Sequence, residues 1–307
     1  MRQTTLDDIT ENWEVEMADI PWVGPYNSLA WGRLVEQVFS GKFRVWHYKE
    51  PKLGPTIIPV MEGGDLGRNG FSCGHIGYGG VFRLRSTEAS VLKQTLDAIR
   101  HFEQLRGLPC VRVSLGPGQV RQMESEHVTS VMDLRMDSYS KLHEQYSSNI
   151  RSTLRKCDRD GIEATRLGLV DLDRSLNLIH QTQEAVGAMY RTPRTLLEGV
   201  FSQQMQNNTL VVGSIWEGNL LAVGVFVLNG IWAGHLIAGR DMTSENPNGN
   251  YAMLDKAIRQ LRERGYHFLD LGYSHTAANR AFKRRWGATE VPIANFERRE
   301  IEDKTSG

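Results

Sequence analysis

The chain has 307 residues, 40% of them hydrophobic and 23% charged, with 36 basic side chains matched by 36 acidic ones. That is the make-up of a globular protein with a buried core and room for two domains. Zero net charge excludes a surface that coats polyanions generally, so any polyanion must meet a local patch, and no run approaches the roughly 18 apolar residues of a membrane span.

In chain order, "MRQTTLDDITENWEVE" is acidic and polar, unlike a secretory leader. "YNSLAWGRLVEQVFSG" reads as a helix, followed by a meander of "KFRVWHY", "PTIIPVM" and a strand near "GHIGYGGVF". "STEASVLKQTLDAIRHFEQLRG" reads as a helix with a serine N-cap and the glutamate of a capping box at Glu88. "PCVRVSLG" is the returning strand. Further on, "SKLHEQYSSNIRSTLRKCDRDG" and "LDRSLNLIHQTQEAVGAMY" are helical, with the strand "IEATRLG" between them. "TLVVGSIW", "NLLAVGVFVLN" and "IWAGHLIAGRD" are strands separated by the turn sequences "EGN" and "NG". In "NYAMLDKAIRQLRERG", Leu254, Ala257, Ile258 and Leu261 line one helical face, and Gly265 ends the helix. "YHFLDLG" is then a strand whose preceding helix implies a parallel crossover, and "NRAFKRRWGA" is a last helix.

Three strands, a helix and a strand thus occur twice. The expected fold is α/β with mixed sheets, a tandem of two related domains at 1–135 and 136–307, with the active site in the second. Cys73, Cys110 and Cys157 are odd in number and widely spaced, which suggests neither a metal site nor a disulfide framework. A reducing, cytoplasmic setting is expected.

A meander followed by helix and strand is the core of the GNAT acyltransferase fold. More specifically, "NIRSTLRKCDRDGIEATR", "YRTPRTLLEGVF", "GHIGYGGVF" and the closing run from "HLIAGRD" through "GYHFLDLGYS" to "NRAFKRRWGA" resemble the FemAB-like family. Its members include aminoacyltransferases that take their amino acid from aminoacyl-tRNA. The resemblance covers most of the chain and implies two GNAT-like acyltransferase domains. It also puts Lys283 where that family carries its functional lysine.

A GNAT that uses acyl-CoA holds the pyrophosphate on a glycine-rich turn at a helix N-terminus. Here the segment is "RDMTSENPNGNYAML", with Gly249 alone and Pro247 lacking an N–H. Asn250 opens the helix and is a candidate donor-binding residue. Helical spacing puts Arg280, Lys283 and Arg284 on one face and Phe282 and Trp286 on another. The cations suit the phosphates of a tRNA acceptor end, whose unpaired bases also suit aromatic and Arg contacts. The alternative is a solvated amphipathic helix, the usual meaning of a charge run.

Amide formation needs a neutral acceptor amine near an activated ester, a proton acceptor and donors for the oxyanion. Asp270 is the first candidate, a carboxylate in an apolar strand, with a structural pairing to a cation as its alternative. His235 is a second proton acceptor, or a satisfied core histidine. Tyr273 and Ser274 are donors to the oxyanion or ribose, or a turn and an N-cap. Arg151 and Arg155 share a helix face that meets an anion or only solvent. Tyr190 and Arg191 line an acceptor entrance, and Tyr78 lies where Gly79 and Gly80 permit close backbone approach.

The expected activity is N-aminoacyl transfer from aminoacyl-tRNA to an amine acceptor: a small amine, an amino acid, a peptide or a cell-wall precursor. The alternative donor is acyl-CoA or an acyl carrier protein. A third reading is a binding module without activity. No cofactor and no metal are expected.

Overall fold

The computed structural model describes residues 5–16, 23–50, 54–64, 71–73, 77–80, 82–83, 91–107, 110–120, 127–188, 190–274 and 276–297. The chain forms two compact units. Unit 1 comprises Met1–Thr129 and Val291–Gly307; unit 2 comprises Ser130–Glu290.

Unit 1 contains β1 (Thr5–Asp8), α1 (Trp13–Glu16), α2 (Leu29–Phe39), β2 (Lys42–Glu50), β3 (Gly54–Glu62), β4 (Phe71–Cys73), β5 (Phe82–Arg83), α3 (Val91–Arg106) and β6 (Cys110–Leu115). Strands β1 to β4 run antiparallel, and β4 pairs β6 in parallel across the α3 crossover. The strand expected near "GHIGYGGVF" is instead a loop at 77–80 followed by β5 on β3. Gly80, at φ +95°, and Gly79 donate to the Ser114 carbonyl at 3.0 and 3.2 Å. The proposed capping box at Glu88 lies outside the described residues.

Unit 2 begins within β7 (His127–Asp133) and runs through α4 (Tyr139–Glu144), α5 (Ser148–Arg159), β8 (Glu163–Arg166), α6 (Leu172–Ala185) and α7 (Arg194–Phe201). It continues with β9 (Thr209–Trp216), β10 (Asn219–Asn229), β11 (Trp232–Arg240), α8 (Gly249–Glu263), β12 (Phe268–Tyr273) and α9 (Ala277–Arg285). The sheet order is β7-β12-β11-β10-β9-β8. Strands β8 to β11 are antiparallel, and β11 pairs β12 in parallel across α8. The pattern of unit 1 therefore recurs: antiparallel meander, crossover helix, parallel strand. This is the two-domain GNAT-like α/β fold.

Local chemistry accounts for these elements. Glu217 and Gly218 both take positive φ, 50° and 79°, which makes the tight β9–β10 hairpin turn. Leu254, Ala257, Ile258 and Leu261 are buried in one core with Leu269, Leu271 and Trp286, each leucine or isoleucine stabilising by about 1.5–3 kcal/mol. Gly265, at φ +83°, follows α8 as its left-handed terminator. The single helix expected over 140–161 is two, because Ser138 and Ser147 each cap a new start by accepting from Lys141 and Ile150 N–H.

The C-terminal boundary differs from the sequence reading. The final strand β13 (Thr289–Glu297) was not expected, and from Val291 the chain belongs to unit 1. There it pairs antiparallel with β6, Ala294 opposite Leu115, and buries Ala294 and Phe296 beside Ile99 and Phe102. No helix among the described residues is long and apolar enough to cross a membrane.

Candidate active site

The end of β12 and the helix after it bring several of the expected residues together. Leu269 and Leu271 belong to the core face, so strand alternation turns Asp270 to the other. Asp270 is 0% exposed, and its Oδ1 accepts from the Gly272 N–H at 2.7 Å. Gly272 sits at φ +82°, a conformation that disfavours any side chain. The resulting turn points two carbonyls at α9: Lys283 Nζ donates to Gly272 O at 2.6 Å and to Tyr273 O at 3.1 Å.

Lys283 is therefore half-buried rather than part of a solvent-facing cationic stripe. Burial pushes its pKa down to about 8, against the opposing pull of Asp270. The aromatics of the helix pack toward the core. Trp286 is fully buried, edge-on to Tyr146 at 4.9 Å between ring centroids, and Phe282 meets Tyr251 at 5.8 Å. Thr276 caps the helix by accepting from Asn279 N–H.

His235 lies one residue past Gly234, the β11 partner of Asp270, and so takes the opposite face of the sheet. Its ring stacks on Phe226 at 4.8 Å, and its Nε2 is shut from solvent with no partner among the described residues. Burial and the nearby Lys283 charge push it down to about 4, so it is neutral at physiological pH. A neutral ring with an enclosed, unengaged nitrogen accepts or donates one hydrogen bond but is a poor holder of a full proton. Ser274, also 0% exposed, has an Oγ likewise without a partner among the described residues.

The remaining candidates fall elsewhere. Arg280 is partly buried with an enclosed Nε, whereas Arg284 is exposed. Asn250 lies in the first turn of α8 with its Oδ1 enclosed. Tyr190 and Arg191 are exposed in the connection from α6 to α7, and partial burial pushes the Tyr190 phenol up to about 12. Tyr78 is buried in unit 1 against Tyr26, with ring centroids 5.7 Å apart. Arg155 is exposed.

Arg151 is not a free cation on a helix face: its guanidinium donates to the carbonyls of Tyr146 and, at 3.0 Å, Glu144, closing the α4–α5 turn. Arg151→Ala is accordingly expected to lower stability by about 1–2 kcal/mol through the lost donors, and Arg155→Ala to leave it within about 0.5 kcal/mol. Urea titration of the two variants checks this; equal effects would return Arg151 to the solvated face.

Two features escaped the sequence reading. The role of Gly272 was not drawn from the Asp-x-Gly pattern, although a glycine just after a strand carboxylate is the available signal. The other is a cluster in which Tyr139 donates to Asp255, Arg259 Nε donates to Asp255 at 2.8 Å, and the Arg259 guanidinium lies 4.0 Å over the Tyr139 ring. It ties α4 to α8; only its Asp255–Arg259 spacing was visible beforehand.

The fold is that of paired GNAT-like units, here with a lysine helix after the second unit's parallel strand. A solved FemX structure is similar in fold, with a TM-score of 0.69 at 10% identity over 97% of this chain and 98% of that one. The C-terminal domain of a protein described as a lysylphosphatidylglycerol synthetase from Agrobacterium fabrum is similar at TM-score 0.56 and 15% identity, over 95% and 94%. L-PGS from Bacillus licheniformis follows at 0.50 and 11%, over 87% and 90%. Neither the protein-family models nor the curated proteins give a match.

Proposed function

We propose that the protein is an acyltransferase of the GNAT type that moves an aminoacyl group from aminoacyl-tRNA to an acceptor amine. The observation that carries this reading is the Lys283 amine, half-buried, lowered to about 8 and held by two carbonyls at the end of β12. A neutral lysine amine has two N–H donors and one lone pair. With both donors engaged by Gly272 and Tyr273, the lone pair points away from them and is free to accept a proton.

In the reaction the acceptor nitrogen attacks the ester carbonyl of the donor. Lys283 takes the proton that the nitrogen loses as the C–N bond forms. It returns that proton to the donor's sugar oxygen as the C–O bond breaks, so the lysine ends as it began. His235 and Ser274 each have a polar atom to offer the tetrahedral oxyanion or the acceptor. Arg280 and Arg284 meet donor phosphates. Sequence resemblance to the FemAB-like family and the FemX-like fold both support an aminoacyl donor.

A second reading, an acyl-CoA or acyl-carrier donor, has one observation in its favour: the first turn of α8 has no side-chain cap, because Asn248 turns its amide to Asn246 instead. One experiment separates the two. The protein is incubated with a charged tRNA pool and, in parallel, with a panel of acyl-CoAs. Polyamines, amino acids, peptides, a cell-wall precursor and phosphatidylglycerol serve as acceptors, and mass spectrometry reads the products. Aminoacylated product from the tRNA arm supports the proposal. Product only from the CoA arm replaces it, and product from neither removes both.

A further inference from the structure

We propose that Asp270 is a positioning residue, whose carboxylate fixes the left-handed turn at Gly272 so that the carbonyls of that turn aim the Lys283 amine. The inference deepens the proposed function and rests on Lys283 being the reacting amine. Three contacts form one chain. Asp270 Oδ1 accepts from Gly272 N–H at 2.7 Å, Gly272 holds φ +82°, and Gly272 O and Tyr273 O receive Lys283 Nζ at 2.6 and 3.1 Å.

Position argues against Asp270 as the proton acceptor itself. It is 0% exposed and turned to the face opposite Leu271, whereas α9 packs its Trp286 among Leu269 and Leu271. The carboxylate acts on the lysine through one residue of backbone and through its charge. A carboxylate accepting a backbone N–H is a strong, directional hold on a conformation that few residues adopt unaided.

The elements around Lys283 carry Asp270 and Tyr273 on β12, His235 and Arg240 on β11, Tyr251, Asp255, Lys256, Arg259, Arg262 and Glu263 on α8, and Arg280, Arg284 and Arg285 on its own helix. Of the three carboxylates, Asp270 is the one whose charge acts on the lysine, while Asp255 is taken up by Tyr139 and Arg259. Asp270 opposes the burial that lowers Lys283. The two parts of its role are separable by substitution. Asp270→Asn keeps an oxygen for the Gly272 N–H but removes the charge. Gly272→Ala keeps the charge but puts a side chain where the backbone resists one.

Trace labelling with acetic anhydride between pH 6 and 11, read at the Lys283 peptide by mass spectrometry, follows this amine without any substrate. In the unaltered protein the midpoint is expected at about 8. Asp270→Asn is expected to lower it by about one unit, the scale of one nearby opposite charge. Gly272→Ala is expected to raise it toward the roughly 10.4 of a solvated lysine as the carbonyl grip loosens. Circular dichroism confirms the fold of each variant; should Asp270→Asn not fold, the Gly272→Ala midpoint decides alone. An unmoved midpoint in the folded variants overturns the proposal, because a merely structural Asp270 would change melting and not titration. Where transfer is measurable, kcat of Asp270→Asn should fall with KM held and its pH profile should move with the labelling midpoint. A shifted midpoint with no transfer from any donor refutes the proposed activity and leaves the positioning role standing.

Discussion

Lys283→Ala is expected to reduce transfer by about 10²–10⁴-fold, the usual contribution of a positioned proton-transfer group, while the far-ultraviolet spectrum stays unchanged. The side chain ends on backbone carbonyls rather than in the packed core, so its removal leaves Trp286 and Phe282 in place. In the unaltered protein, turnover should rise as pH passes about 8, where the lysine becomes a neutral base. The His235 transition, at about 4, is too low to contribute to that limb.

The same lysine predicts a pH dependence of stability that needs no substrate. Its folded pKa, about 8, is below the roughly 10.4 of an unfolded lysine. Below pH 8 both states carry the proton, and burial of the charge weighs against folding by a constant amount. Between about 8 and 10.4 the unfolded chain holds the proton and the folded one does not, so stability rises with pH. Lys283→Met lacks this rise. The difference in unfolding free energy between the two proteins, followed by urea titration from pH 7 to 10.5, should change in favour of the unaltered protein across that window. A flat difference would mean that the amine is solvated, and full transfer by Lys283→Ala would end its assignment.

Much of the fold was legible because unit 2 is regular. The β9–β11 strands are long and separated by glycine turns, and the α8 stripe is unbroken. Unit 1 was harder. Its β4 and β5 are three and two residues long, too short for alternation to register. The final strand "TEVPIANFE" carries Pro292 and charged ends, and pairing in the sheet, as with β6, rather than its own pattern makes it a strand. In the site, residue types were readable but directions were not. Arg280, Lys283 and Arg284 looked equivalent on a helical projection. The structure turns Lys283 inward because two carbonyls wait there, and Gly272 supplies that turn. Arg151 read as meeting an anion or only solvent, and the carbonyls of an unforeseen helix break use it instead.

Trp286→Ala is expected to produce the largest loss of stability of any single change in α9 or at its C-cap. The indole is 0% exposed and touches Tyr146, Tyr251 and Phe282, so its removal leaves a cavity among rings that cannot readily collapse. Aromatic-to-alanine changes of this kind cost about 3–5 kcal/mol. Phe282→Ala should cost less, since that ring is only partly buried. Trp286→Phe is the informative control. The indole Nε1 is enclosed without a partner among the described residues, so phenylalanine removes a buried donor while keeping most of the packing. It should therefore recover most of the loss. The helix also carries Lys283 one turn away, so at temperatures where Trp286→Ala is still folded its acetic anhydride labelling at Lys283 should be faster than in the unaltered protein. Thermal and urea unfolding of the three variants, with labelling alongside, decides the matter. If Trp286→Ala melted with Phe282→Ala and left Lys283 labelling unchanged, the aromatics would not be what holds the lysine at the end of β12.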